Sequence, residues 1–337
     1  MVALRDLRRP AVAGLQTLAV AACYFAAGRL GLLRELSVGD AVFSPIWPPT
    51  GIALAALLVL GPRAWPGIAL GSLLVILSLT SFTSFRPSAL VTVATSTAGP
   101  VAAYVMLRAV GFRTDLARLR DGIALVLLGA LAGMLISAGG GAGFLLGQDR
   151  ITAADFGTVF LGWWVGDAMG VLIVTPLLLL LARARRPRTT RLPEALVLAA
   201  TACVFVPLAT RSTVSMLFLV FPLLIWAALR FLVLGSMLCA LFTSVMAAVS
   251  ATDDVGPFAG LSRIEVMIKL QAFNGSMALT ALLLSAVITE QRNTRRSVER
   301  ACQELVEVLD HLTAGEAPPP RPATREKGAG RWPETPV

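Results

Sequence analysis

Apolar residues run along this chain in long blocks separated by short polar or proline-marked breaks, and a block of about 20 helical residues is enough to cross a bilayer. Four blocks reach that length: Ala11 to Leu33, Ala89 to Val110, Gly122 to Leu146 and Phe156 to Leu181. Six more are shorter or interrupted: Thr50 to Leu60, Ala64 to Leu79, Leu192 to Ala209, Val214 to Leu229, Phe231 to Ser250 and Ile268 to Ile288. The pattern predicts an all-α, polytopic transmembrane helix bundle of about 8–10 membrane helices, because only helices or closed barrels satisfy the backbone in lipid. The upper figure holds if every block crosses, and the lower ones if the Thr50 or Val214 block is re-entrant.

After the last block the pattern changes. Glu290 to Leu312 is polar and helix-prone, with Val298, Cys302, Leu305, Leu309 and Leu312 at alternating spacings of four and three. That is an a/d seam of about two heptads, a length that an amphipathic surface helix shares. Beyond Ala314, A-P-P-P-R-P and the mixed remainder read as disordered. The predicted organisation is an integral-membrane domain over 1–289, a cytoplasmic helix and candidate short coiled coil over 290–313, and a disordered tail over 314–337.

Composition agrees: 56% hydrophobic residues, 15% charged residues and a mean hydropathy of +0.77 are too apolar for a soluble domain. A net charge of +9 would suggest nucleic acid in a soluble protein, but here the arginines fall in short loops and read as orientation signals. With the N-terminus inside, the inner loops hold Arg5, Arg8, Arg9, Arg63, Arg113, Arg118, Arg120, Arg183, Arg185, Arg186, Arg188, Arg191 and Arg230. The outer loops hold Arg34, Arg86, Arg150, Arg211 and Arg263. This bias predicts that both termini are cytoplasmic and that the lipid bilayer, with no nucleic acid, is the partner. The basic start imitates a signal peptide, yet the run to Leu33 is long and lacks a cleavage site, so it reads as a retained first helix. Cys23, Cys203 and Cys239 lie in apolar blocks and Cys302 in the polar helix, which suggests neither a disulfide nor a metal framework.

Two features depart from plain membrane helices. F-S-P-I-W-P-P-T-G, Phe43 to Gly51, sets Trp47, Pro48, Pro49 and Thr50 at the doorstep of a hydrophobic block. The prolines fix φ and remove donors, so the chain before them is extended and the helix starts abruptly. Irregular backbone at membrane depth belongs against protein or a wet cavity; a Trp47 in the headgroup belt is the competing reading. The second feature is Asp167, in G-W-W-V-G-D-A-M-G from Gly162 to Gly170, a costly ionisable group inside an apolar block. Gly162, Gly166 and Gly170 leave one helical face open to close approach. Asp167 reads either as a ligand or proton site or as half of a structural pair, with Arg29, Lys269 and Arg230 as candidate charge partners. Trp163, Trp164 and Trp226 read as pocket lining or as belt and packing residues. G-G-G-A-G, Gly139 to Gly143, lacks the lysine of a phosphate loop and reads as a helix break or close-packing point. His311 is the single histidine, so neither a histidine metal site nor a serine–histidine triad can be built within the membrane. No catalytic residue, cofactor or metal is predicted.

The order of these motifs carries a resemblance. W-P-P-T-G, then W-P-G-I-A-L-G from Trp65, G-W-W-V-G-D-A-M-G-V-L-I-V-T-P ending at Pro176, and F-P-L-L-I-W-A-A-L-R-F from Phe221 together resemble the membrane-associated sensor domain of the first type, the MASE family. G-P-F at Gly256 and L-Q-A-F at Leu270, which includes Gln271, resemble its closing section. The resemblance implies a non-enzymatic sensory input module of the bacterial cytoplasmic membrane, in the place that usually precedes a kinase or cyclase. No output domain is expected after the last block, so the expected partner is a separate kinase, cyclase or regulator, or a second copy in a homodimer. The expected ligand pocket combines Trp47, Pro48, Pro49, Thr50, Trp163, Trp164, Asp167, Trp226 and Gln271 around an unknown small molecule. The alternative is a small-molecule transporter or channel, which would use the same broken helix and buried charge for passage.

Overall fold

Prolines and glycines that punctuate the sequence also set the helix ends. The computed structural model describes residues 2–34, 36–38, 41–79, 82, 87–183, 191–214 and 216–313; the tail over 314–337 and Arg86, Arg185, Arg186 and Arg188 lie outside them. Helix α1 (Val2–Gly31) leads through a 3₁₀ turn into strands β1 (Leu36–Val38) and β2 (Ala41–Phe43). These two pair antiparallel, Leu36 opposite Phe43, a small hairpin that the hydropathy pattern did not predict. Helix α2 (Pro48–Leu60) starts on its two prolines, whose missing donors cost nothing in a first turn. It stops at Gly61, at φ +83°, followed at once by Pro62. Helices α3 (Trp65–Leu79) and α4 (Ala89–Ala109) follow. One continuous rod then combines α5 (Leu119–Ala124), a π-helical stretch (Leu125–Ala132) and α6 (Gly133–Gly147). G-G-G-A-G therefore lies inside a helix and serves close packing, with Gly140 against Thr95 and Gly141 against the Trp163 ring.

Helix α7 (Ala153–Arg183) is the centre of the bundle, since every residue from Gly166 to Leu177 is buried, as expected of a helix surrounded on all sides. Helices α8 (Leu192–Arg211), α9 (Val220–Thr252) and α10 (Arg263–Thr313) complete the chain. Leu232 interrupts α9 with φ 57° and ψ −146°, and the chain folds back there. Gly235 lies against Phe231 and the carbonyl of Ala227, eight residues upstream, a contact that a straight helix rising 1.5 Å per residue forbids. The arms on either side lie along α8: Arg230 pairs with Glu194 near its start, and Arg211 at its end pairs with Asp253. The blocks ending at Leu229 and beginning at Phe231 are thus two arms of a helical hairpin.

Seven helical stretches among the described residues are long and apolar enough to cross a membrane, from Pro62–Leu79 to Ile264–Asp310, with α2 shorter. The chain is a multi-pass membrane protein. Two apolar cores share α2: Leu54 joins the main cluster of α4 to α10, whereas Ala53 and Leu57 join Val20, Tyr24, Ile68 and Val75 of α1 and α3. The chain divides at Glu290 into a unit of Met1–Glu290 and one of Gln291–Val337. In the second unit Val298, Leu305, Leu309 and Leu312 are exposed, and Arg295 pairs with Glu299 one turn on.

Candidate functional site

The proline-led entry to α2 docks on the glycine face of α7. Gly166 meets the Ser44 carbonyl and Gly170 the Trp47 carbonyl so closely that a Cβ at either would collide with backbone. Two directional bonds hold the contact: the Trp47 N–H donates to the Gly166 carbonyl at 3.0 Å, and the Thr175 hydroxyl donates to the Gly51 carbonyl at 3.0 Å. Gly166 lies 13 residues into α7, about 20 Å along a helix. The irregular backbone thus sits near the middle of the bundle, where protein rather than lipid must satisfy it.

Asp167, 8% exposed, receives the Thr50 hydroxyl on Oδ1 at 2.7 Å. The Ser137 hydroxyl of α6 is close enough to add a second dipole. The three cations expected as partners are placed elsewhere: Arg29 reaches the Ser78 hydroxyl at 3.3 Å and Arg230 pairs with Glu194. Lys269 donates to the Pro257 carbonyl, with its ammonium 5.9 Å from the centre of the Phe258 ring. The carboxylate is therefore held by hydroxyl dipoles; two short side chains reach it at mid-bundle where long basic ones have nearer acceptors.

Beside Asp167 lies a cavity of about 130 Å³ between the α1–α3 layer and α4, α6 and α7. Trp47 and Trp163 line it, as do Gly162 and Gly166. Its polar wall carries Tyr24, Ser72, Thr95, Ser96 and Ser137. The sequence reading did not single out these hydroxyls. Their signal is weak, since a serine or threonine in a membrane helix often only bonds its own helix carbonyl, as Thr95 does with Thr92 at 3.1 Å.

The other expected pocket residues separate. Pro48 and Pro49 pack at the docking contact and Thr50 reaches Asp167 from it. Trp164 turns away and donates its indole N–H to the Leu131 carbonyl at 2.8 Å, in the π-helical stretch, where helical pairing is irregular. Trp226 packs in the main core. Gln271 is on α10, where its Oε1 is buried without a partner among the described residues. Neither lines the cavity, so both fall outside the pocket. Among the described residues no cluster of three or more His, Cys, Asp or Glu could hold a metal.

A family model described as MASE1 matches residues 16–292, a range that includes the docking contact and the residues named above as lining the cavity. Neither a curated protein nor a solved structure matches the chain.

Proposed function

Because the chain belongs to the MASE1 family of membrane-associated sensor domains, we propose that its mid-bundle cavity is the sensory site, responding to a small molecule or membrane state in the bacterial cytoplasmic membrane. The observation that carries this reading is the Thr50–Asp167 bond at 2.7 Å. It ties an irregular, proline-led segment to the central helix at the wall of a cavity. Cavity and broken helix share one contact, so occupancy that shifts Trp47 or Asp167 moves the start of α2 against α7. A ligand shifts such an equilibrium only by its differential affinity for the two arrangements.

Output leaves through α10, which carries the chain beyond Glu290 to a separate kinase, cyclase or regulator, or to a second copy. Cyclic dinucleotides and transcripts compared in cells with the wild type, Ser96→Phe and a chain ending at Gln291 test both halves. Both variants are expected to lose the response that depends on this protein, the first by filling the cavity and the second by cutting the route. A chain ending at Gln291 that keeps the response refutes the α10 route; a normal response from Ser96→Phe refutes the cavity as the sensory site.

A further inference from the structure

We infer that the cavity takes a small organic cation, a primary or methylated ammonium of about five or six heavy atoms. The inference rests on the sensory reading of the cavity and adds a ligand class to it.

Charge is the first argument. Asp167 is buried and faced by the Thr50 and Ser137 hydroxyls, while Arg29, Lys269 and Arg230 bond other groups. An ionised carboxylate offers about four acceptor sites, and among the described residues Thr50 fills one of them and no cation pairs with the charge. Among the described residues that line the cavity there is no arginine, lysine or histidine, so these walls offer an anion no cationic partner beside the carboxylate. A neutral polyol would hydrogen bond with the walls yet leave the carboxylate's charge buried and unpaired, which is the costly arrangement.

The rings are the second argument. Trp47 and Trp163 line the same space as the carboxylate, and indole faces attract ammonium groups most strongly of the aromatic side chains. A carboxylate that shares its cavity with two indoles offers a cation both a hydrogen-bond acceptor and a polarisable wall. Shape separates an organic cation from an inorganic one. The wall from α3 carries Val75, Ile76 and Leu79, apolar surface that a bare metal ion leaves unused and that a short hydrocarbon chain covers. The volume of about 130 Å³ compares with the roughly 150 Å³ engineered cavity that holds benzene, which sets the size at about six heavy atoms.

The test titrates the full chain in lipid nanodiscs with n-butylammonium, 1-butanol and butyrate at constant ionic strength, read by calorimetry and tryptophan fluorescence. Butylammonium is expected to bind at least about tenfold tighter than butanol, and butyrate not to bind. Asp167→Asn is expected to abolish the preference for the amine, and Ser96→Phe to block binding of both butylammonium and butanol. If Asp167→Asn does not fold, Trp163→Leu provides the second reading: amine affinity is expected to fall several-fold with butanol unchanged. Butanol or butyrate binding as well as butylammonium, or no amine binding at millimolar concentration, overturns the inference. These outcomes concern ligand class alone. The sensory reading stands or falls separately, on the cellular response of Ser96→Phe.

Discussion

Replacing Gly170 by alanine tests the docking contact on which the site depends. A Cβ at 170 meets the Trp47 carbonyl oxygen at a forbidden distance and its carbonyl carbon at 2.8 Å. These atoms belong to the backbone and cannot rotate away, so the entry segment must lift off α7. Overpacking of this kind costs about 1–3 kcal/mol. Lifting also strains the Trp47 N–H to Gly166 bond, 3.0 Å in the native contact, for about 1 kcal/mol. The better helix propensity of alanine returns about 1 kcal/mol. The net expectation is a loss of about 1–3 kcal/mol, roughly a 5- to 150-fold shift toward the unfolded state. Gly157→Ala is the control on the same helix, because a Cβ there meets nothing within 4 Å; it should be neutral or slightly stabilising. Reversible unfolding of the purified protein in mixed micelles measures both. If Gly170→Ala unfolds with the stability of Gly157→Ala, the entry segment is not seated on α7 as described, and the argument for a site at that contact fails.

Thr50→Val keeps the shape but removes the donor to Asp167, so it should cost about 1–3 kcal/mol, whereas Thr50→Ser should retain most of the stability; equal losses in unfolding assays would deny the hydrogen bond its role. At the hairpin in α9, Leu232 has φ 57°, which penalises any residue with a Cβ. Leu232→Gly should therefore be about 1 kcal/mol more stable than Leu232→Ala, and the reverse order would place the fold-back elsewhere. In the loop before α5, burial alone would raise the Asp115 carboxyl, but the Ala117 amide and the Arg113 guanidinium together hold it below the usual aspartate range. A depressed folded value stabilises the protein above the unfolded value near 3.9, and that contribution is lost as pH falls through the folded one. Thermal unfolding from pH 6 downward should show wild type converging on Asp115→Asn in acid, and a constant gap between them would refute the assignment.

Several elements were legible because one physical rule decided them. Pro48 and Pro49 set the start of α2, and Gly61 with Pro62 its end, because ring-fixed φ and a positive-φ glycine act through the local chain. The apolar blocks predicted the membrane helices for a similar reason, since satisfying the backbone in lipid depends on segment length and hydrophobicity. The π-helical stretch was not legible. Its residues, Leu125 to Ala132, are as apolar as any helix, and the register change is matched to Trp164 33 residues away. The reversal at Leu232 was visible only as Arg230 between two apolar blocks. Leucine at positive φ is no turn signal, and Glu194 near the start of α8 marks the spot only in space.

The site divides along the same line. Asp167, the three-glycine face and the W-P-P-T-G entry announce themselves in the sequence because each violates what a lipid-facing helix wants, and their order carries the family. That Thr50 rather than Arg29, Lys269 or Arg230 faces Asp167 was decided by the tertiary structure alone. A threonine hydroxyl reaches only a few ångströms, so its partner depends on seating α2 against Gly166 and Gly170, 117 residues from Thr50 to Asp167 along the chain. The hydroxyl wall of Tyr24, Ser72, Thr95, Ser96 and Ser137 comes from four helices. Each of these residues is ordinary in its own segment, and only packing turns them into one surface. Hydropathy and backbone stereochemistry act over a few residues and could be read from the chain. Which short polar side chains share a cavity is a long-range outcome of helix packing, and no local pattern encodes it.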